Sequence, residues 1–459
     1  MSDPLSVPPD PGAAAARAAG VGTLPVSATS PPIACLGLAG FALGMVLVHS
    51  LTLSRVGVIL VILACTGLPM LVVDILILKA HRRPSTGLDW DRPGEFSLQR
   101  SAIKLLGLSA TLAFLALCYW LFPEYRGRQY TIAFDVAAAI WPYAIVATVI
   151  YVAVLDAHMK EPRDGYWLAG SLVLGCFSAF RREVFAQYCA GWLMKAFFVP
   201  FIISVFMANI DNTFSSELLK GRIGFNEIYD FCYPFCFALD TAFSAIGYLL
   251  TIRLADNHLR STDLTLSGWF VALICYPPFW PFLYDHFLPY DAHAVFWGPW
   301  FAPVAPLYWL WGSVLIASFA VFTWATIAFG CRFSNLTHRG IITGGPYRWS
   351  KHPAYVAKIL SYWLITIPVV STTGPADALR ACLMLSLLSL IYYLRARTEE
   401  RHLSRDPVYV AYALWMNEHG RLRWLGRFFP ALRYRAPGKR NYASRREELP
   451  QLGSSSVSQ

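Results

Sequence analysis

The sequence predicts an all-α, polytopic membrane helix bundle of about ten transmembrane helices with both termini cytoplasmic. Three observations carry that prediction. The 459 residues are 56% hydrophobic and only 14% charged, a balance displaced from globular chains toward membrane proteins. Apolar windows of about 20 residues recur along the chain, each about long enough to cross a bilayer at about 1.5 Å per residue. Lysine and arginine alternate between successive connections. With both termini inside, the inner connections hold Lys79, Arg82, Arg83, Arg92 and Arg100, then Lys160, Arg163, Arg181 and Arg182, then Arg253 and Arg260, then Arg332, Arg339, Arg348 and Lys351. The outer connections are poorer, down to none in 289–303 and 372–375. The net charge of +10 is therefore mainly a topology signal, and basic residues that adjoin membrane spans argue against a nucleic-acid partner. Integral-membrane, multi-pass placement with the bilayer as partner follows; oligomeric state does not.

Residues 1–31 are rich in proline and alanine and have no basic region leading an apolar core. They read as a disordered cytoplasmic tail without a signal peptide. Windows 32–53, 56–79, 102–122 and 132–156 have little polar content and read as scaffold; Asp135 and Asp156 fall at the ends of the fourth, where a carboxylate reaches water. The apolar stretch 165–180 is short and followed by Arg181 and Arg182, so it reads as re-entrant or interfacial. The fifth window is 187–210. The sixth, 229–251, carries Asp240 well away from either end, where a carboxylate is costly unless paired, hydrated or neutral. Asp240 is thus either a substrate-site residue or half of a structural pair. Arg253, Asp256 and Arg260 follow it, either as a solvated helix end or as a polar wall against a substrate headgroup. In the seventh window, 266–288, Pro277, Pro278 and Pro281 cannot continue a regular helix. A break at membrane depth survives where protein or a water-filled cavity satisfies the freed carbonyls, which suits a wall of a lipid cavity. The last windows are 304–329, 353–371 and 376–396. Ten cysteines are scattered without paired metal spacing, and no metal site is expected. The organisation expected is a tail over 1–31, an N-terminal transmembrane region over 32–300, a C-terminal core over 301–435 and a disordered tail over 436–459.

Two polar stretches interrupt the C-terminal core. Residues 344–353 place turn formers, cations, aromatics and a histidine just before an apolar window, and residues 395–402 place Arg395, Arg397, Glu399, Glu400, Arg401 and His402 where the next window ends. An antiparallel pair over 353–371 and 376–396 returns both to one face. Alone, the first looks like an interfacial anchor and the second like a solvated helix end with charges paired at helical spacing; their joint occurrence points to a site.

Arg332-Phe333-Ser334, Arg339-Gly340-Ile341-Ile342-Thr343, Gly345-Pro346-Tyr347, Lys351-His352-Pro353-Ala354-Tyr355, Arg397-Thr398-Glu399-Glu400, Tyr409 and Tyr412 together resemble the C-terminal signature of the isoprenylcysteine carboxyl methyltransferase and phospholipid methyltransferase superfamily. The resemblance covers about the last quarter of the chain. Lys351 stands where the family has arginine, and Ala357 where it usually has glycine. The resemblance implies S-adenosylmethionine as cofactor and a membrane lipid or lipidated small molecule as methyl acceptor, most simply an isoprenylcysteine-like carboxylate. It implies cofactor-binding roles for Gly345, Tyr347, Lys351, His352, Pro353, Tyr355, Glu399 and Glu400, and catalytic roles for Arg397 and Glu399, with Arg397 suited to clamp the nucleophile of an acidic acceptor; the alternation of basic connections puts this site on the cytoplasmic face. The residue types suit that cofactor: Arg348, Lys351 and His352 for its carboxylate, Glu399 or Glu400 for its ammonium, and Tyr347, Trp349 and Tyr355 for its adenine. Two other readings stand beside it. One is an NADPH-dependent membrane sterol or isoprenoid reductase, with Arg339, Arg348, Lys351 and Arg395 on a 2′-phosphate. The other is a non-enzymatic transporter or lipid-binding protein resting on Asp240 and the broken seventh window.

Overall fold

The computed structural model describes residues 23–91 and 93–436. Apolar segments become helices because lipid leaves backbone groups no partner but their own helix. In order they are α1 (Pro31–Ser50), α2 (Arg55–Val72), α3 (Leu98–Leu121), α4 (Arg128–His158), α5 (Gly165–Val173), α6 (Arg182–Phe214), α7 (Phe225–Leu249), α8 (Leu266–Leu273), α9 (Phe279–Phe287), α10 (Trp297–Phe301), α11 (Ala305–Ile327), α12 (Pro353–Ile365), α13 (Pro375–Leu403), α14 (Pro407–His419) and α15 (Leu425–Phe428). Among the described residues, seven helices are long and apolar enough to cross a membrane: α1, α2 with its extension to Ile77, α3, α4, α6, α11 and α13. The chain is a multi-pass helical bundle.

Ten spans were expected, and three windows fall short for separate reasons. α7 is 25 residues long but carries Glu227, Asp230 and Asp240, which lower its hydropathy. The 266–288 window breaks around Pro277 and Pro278 into α8 and α9, as expected, while Pro281 falls in the first turn of α9, where no intrahelical N–H is needed. The 353–371 window is helix for only its first 13 residues: α12 ends at Ile365 and the chain continues as the strand β4 (Thr366–Ser371). β-Branched Thr366, Ile367, Val369 and Val370 favour extension, and Pro368 lacks the N–H a helix would use. That strand pairs antiparallel with β2 (Ala294–Phe296), which gives partners to backbone groups along one edge. Nearer the site, β1 (Ser261–Thr262) pairs antiparallel with β3 (Thr337–His338).

The main core joins α1, α2, α6 and α7 through residues such as Phe41, Met70, Phe198, Phe206 and Phe243. Helices meet closely where a side chain is missing. A Cβ at Gly40 would lie 2.0 Å from the Cys65 carbonyl oxygen, and one at Gly170 would lie 1.9 Å from that of Ile103. α4 instead exposes Trp141, Tyr143, Val146, Val149 and Ile150 along its length, the pattern of a lipid-facing helix. Its end is fixed by Asp156, which accepts from Arg100 at 2.6 Å and pairs with Lys104 at 3.6 Å. Asp156 is therefore buried in an ion cluster, where the sequence reading had a carboxylate reaching water.

Residues 1–22 of the expected N-terminal tail lie outside the described residues, as does 437–459 of the C-terminal one. The end of the first tail is tied down. Thr343 Oγ1 donates to the Pro25 carbonyl at 2.8 Å, and the Ala28 N–H donates to the Ile341 carbonyl at 2.9 Å.

Candidate functional site

The loop that leads into the first polar stretch is held in place by two buried arginines. Arg339 donates to the carbonyls of Asn257 (2.6 Å), Gly247 (2.6 Å), Phe333 (2.9 Å) and Cys331 (3.0 Å), joining the end of α7 to the loop before β3. Burial, with Arg332 beside it, pushes its guanidinium down to about 9. Arg332 donates to the Arg339 carbonyl at 2.9 Å and pairs with Asp256 at 3.4 Å. Beyond this staple, Gly345 adopts a left-handed φ of +58°, and a Cβ there would meet the Trp324 indole at 3.3 Å; glycine alone takes that conformation freely. The turn Gly345–Arg348 then sets the Tyr347 ring edge-on to Phe329, while the Tyr347 carbonyl accepts from Tyr412 at 2.7 Å. Burial pushes the Tyr347 phenol well above its ordinary range. His352 occupies the position before α12 without a side-chain capping bond, and Pro353 follows at the first helical position, where its missing N–H costs nothing.

The second stretch is the last two turns of α13, and the two meet as the sequence predicted. Neighbouring residues on a helix point about 100° apart, so Glu399 and Glu400 divide. Glu400 is enclosed, its side chain 6% exposed, and pairs with Lys351 (2.6 Å), His352 Nε2 (3.3 Å) and Arg397 (2.5 Å). Burial pushes the Lys351 ammonium below the ordinary lysine range, and Glu400 pulls it back only in part. Glu399 is open, its side chain 41% exposed; it accepts from the Tyr355 hydroxyl at 3.0 Å and stands 3.7 Å from His352 Nδ1. The rings of His352 and Tyr355 stack at 5.7 Å.

Two cavities lie on either side of this wall, both bounded by Lys351, His352 and Tyr355. The smaller, about 80 Å³, is the more polar of the two: beside apolar groups such as Phe329 and Phe333 it includes Asn335, Tyr347, Arg395, Glu399, His402 and Asp263. The larger, about 220 Å³, is lined mainly by apolar groups of α12, α13 and residues 416–433, with Arg397 and Glu400 at its wall. Of the sequence-predicted site residues, Tyr347, Lys351, His352, Tyr355 and Glu399 line the first cavity and Lys351, His352, Tyr355, Arg397 and Glu400 the second. Gly345 and Pro353 shape the backbone between them. Ala357 lines neither: it is buried against α11, and its carbonyl accepts from Ser318 at 2.8 Å.

The proposed substrate residues lie elsewhere. Asp240 accepts from Thr326 of α11 inside the bundle. Arg253 donates to the Thr86 carbonyl at 2.9 Å. Asp256 is enclosed by Ser85 (2.8 Å), Arg260 (3.3 Å), Arg332 (3.4 Å) and Arg83 (3.6 Å). None of Asp240, Arg253, Asp256 and Arg260 lines either cavity. Asp256 with Arg83, Arg260 and Arg332 ties the 80–91 connection to the staple by mutual charge satisfaction, while Asp240 and Arg253 bond to an uncharged hydroxyl and a carbonyl. Asn335, Asp263 and His402, by contrast, reach the polar cavity without having been proposed for it. The available signal was spacing: Arg395, Glu399 and His402 are i, i+4 and i+7 on one helix face, whereas Arg397 and Glu400 share another.

Residues 311–405 match the family model described as the isoprenylcysteine carboxyl methyltransferase (ICMT) family. No curated protein and no solved structure matches the chain. The match runs from within α11 to just past α13 and takes in both polar stretches, so the C-terminal segment carries the signature of the isoprenylcysteine carboxyl methyltransferase family.

Proposed function

We propose that this protein is an integral-membrane methyltransferase that uses S-adenosylmethionine to methylate a lipidic acceptor, an isoprenylcysteine-like carboxylate in the first instance, from the cytoplasmic face. The observation that carries the reading is the division of the two glutamates inside the matched segment. Glu400 is spent on three cationic or imidazole partners, and Glu399 is left at a polar cavity among His352, Tyr355 and Tyr347. Those residues suit the cofactor: Glu399 for its ammonium, Tyr347 and Tyr355 for its flat adenine, His352 for the polar groups between. When bound, S-adenosylmethionine supplies a methyl carbon already activated by its sulfonium, so the protein need provide no covalent nucleophile.

What the chain's own residues do is position and exclude. The Arg332 and Arg339 staple fixes the loop ahead of the Gly345 turn, that turn lies beside Trp324 of α11, and the Glu400 cluster locks the start of α12 to the end of α13. The apolar cavity on the other side of His352 and Tyr355 suits a lipid chain. Arg397, whose guanidinium is on Glu400, acts in this reading by holding the wall rather than by clamping a nucleophile. The reductase reading loses two of its cations, since Arg339 is consumed by four carbonyls and Lys351 by Glu400.

The test is transfer of labelled methyl from S-adenosylmethionine to N-acetyl-S-farnesylcysteine by purified protein in nanodiscs. A base-labile methyl ester, lost in Glu399→Gln, is the expected product. Absence of transfer to this acceptor and to a phospholipid amine alike, by protein that remains folded, contradicts the proposal.

A further inference from the structure

The polar cavity has a second pole one helical turn before Glu399. Arg395 is 6% exposed, lines the cavity and donates from Nη2 to Asn335 Oδ1 at 3.2 Å. Its guanidinium carbon lies 5.1 Å from the Tyr355 ring centroid, 5.4 Å from that of Tyr276 and 5.9 Å from that of Tyr392. No Asp or Glu pairs with it among the described residues. Of the other enclosed cations, Lys351 has Glu400, Arg332 has Asp256, Lys104 has Asp156, Arg339 spends its donors on four carbonyls, and Lys195 meets the Thr251 hydroxyl; Lys358, like Arg395, lies over aromatic rings, but it lines neither cavity. A guanidinium carries five N–H donors in a fixed fork that matches a carboxylate. Tyrosine rings stabilise the charge through their faces but use up none of the fork.

We propose that Arg395 is a specificity-determining anchor for a ligand carboxylate in this cavity. This rests on the methyltransferase reading and adds the group that recognises the anionic end of a ligand. Arg395 and Glu399 stand at i and i+4, neighbours about 5–6 Å apart at Cβ. A zwitterionic α-amino acid, with its ammonium toward Glu399 and its carboxylate toward Arg395, complements both poles at once. The cofactor ends in such a group; a prenylcysteine-like acceptor offers the carboxylate alone. Asn335 is the positioning residue that holds the guanidinium while leaving its charge uncompensated.

The experiment measures dissociation constants in nanodiscs for four probes. S-adenosylhomocysteine is compared with 5′-methylthioadenosine, which lacks the amino acid, and N-acetyl-S-farnesylcysteine with its methyl ester. Arg395→Gln is expected to weaken S-adenosylhomocysteine about a hundredfold, the scale of losing a buried charged partner, and to leave methylthioadenosine unchanged. Weakening of the farnesylated acid but not its ester would assign the anchor to the acceptor carboxylate instead. Asn335→Asp places a carboxylate beside the guanidinium with almost no change of shape. It is expected to keep the fold while weakening the same acid-bearing probe, and it decides the matter if Arg395→Gln does not fold. Equal effects on acid and carboxylate-free probes, or none on any, would overturn the anchor. A folded wild type that binds none of the four contradicts the methyltransferase reading. The anchor is then judged on palmitate against hexadecanol, where a preference for the acid that vanishes in Arg395→Gln upholds it and no preference overturns it.

Discussion

Replacing each of the adjacent glutamates by glutamine separates a structural carboxylate from a ligand-binding one. Glu400→Gln removes the negative charge shared by Lys351, His352 and Arg397, and Lys351 is left with a side chain only 11% exposed. Breaking a buried ion pair from one side costs about 3–5 kcal/mol. For a cooperative unit the size of the C-terminal core that corresponds to a fall in Tm of roughly 6–20 °C. Glu399→Gln loses the charge of a side chain that is 41% exposed and can still accept from Tyr355 through its amide oxygen. Its cost is about 1 kcal/mol or less. The expected loss there is in affinity: a charge-assisted contact to a ligand ammonium exchanged for a neutral one, about ten- to a hundredfold in Kd. Thermal unfolding in detergent followed by tryptophan fluorescence, with S-adenosylhomocysteine titrated into each variant, reads both quantities. Equal destabilisation by the two substitutions, or a larger one from Glu399→Gln, would refute the division.

Two further outcomes follow from the packing. Burial, with Arg253 beside it, pushes His258 down to about 3, and its Nδ1 has no hydrogen-bond partner. The unfolded chain takes up that proton near pH ~6.5 and the folded one only near 3, so stability present above about pH 6.5 is lost as pH falls through that window; His258→Leu should flatten the acid limb of a pH-against-Tm profile, and an unchanged limb would contradict this. Gly40→Ala drives a methyl toward the Cys65 carbonyl, whereas a Cβ at Gly298 meets nothing within 4 Å; the first should cost about 1–3 kcal/mol and Gly298→Ala almost nothing, as judged by paired thermal melts.

Hydropathy was a good guide to most helices because lipid exposure and backbone satisfaction impose the same length on each. The 102–122 window became Leu98–Leu121 and 304–329 became Ala305–Ile327. It was a poor guide at 353–371, since an apolar run of β-branched residues scores alike whether helical or extended; β-branching over 366–370 together with Pro368 was the local signal of the change. Pro277 and Pro278 did announce their break. At the site, the meeting of His352 with Glu399 and Glu400 was legible from two motifs on one face of a hairpin. The roles of the pair were not, because they depend on which carboxylate Lys351 reaches. Likewise Asp256 and Arg260 carry charges that suit a headgroup, and only the positions of Arg83 and Arg332, far away in sequence, turn them into a structural cluster.

The measurement that tests the central claim most directly is calorimetric titration of the purified full-length protein with S-adenosylhomocysteine and, separately, NADPH. S-adenosylhomocysteine binding in the micromolar range, on the order of −8 kcal/mol, abolished in folded His352→Ala and Glu399→Ala variants, is the predicted result. Binding of NADPH alone, or of neither ligand by a folded wild type, would contradict the account.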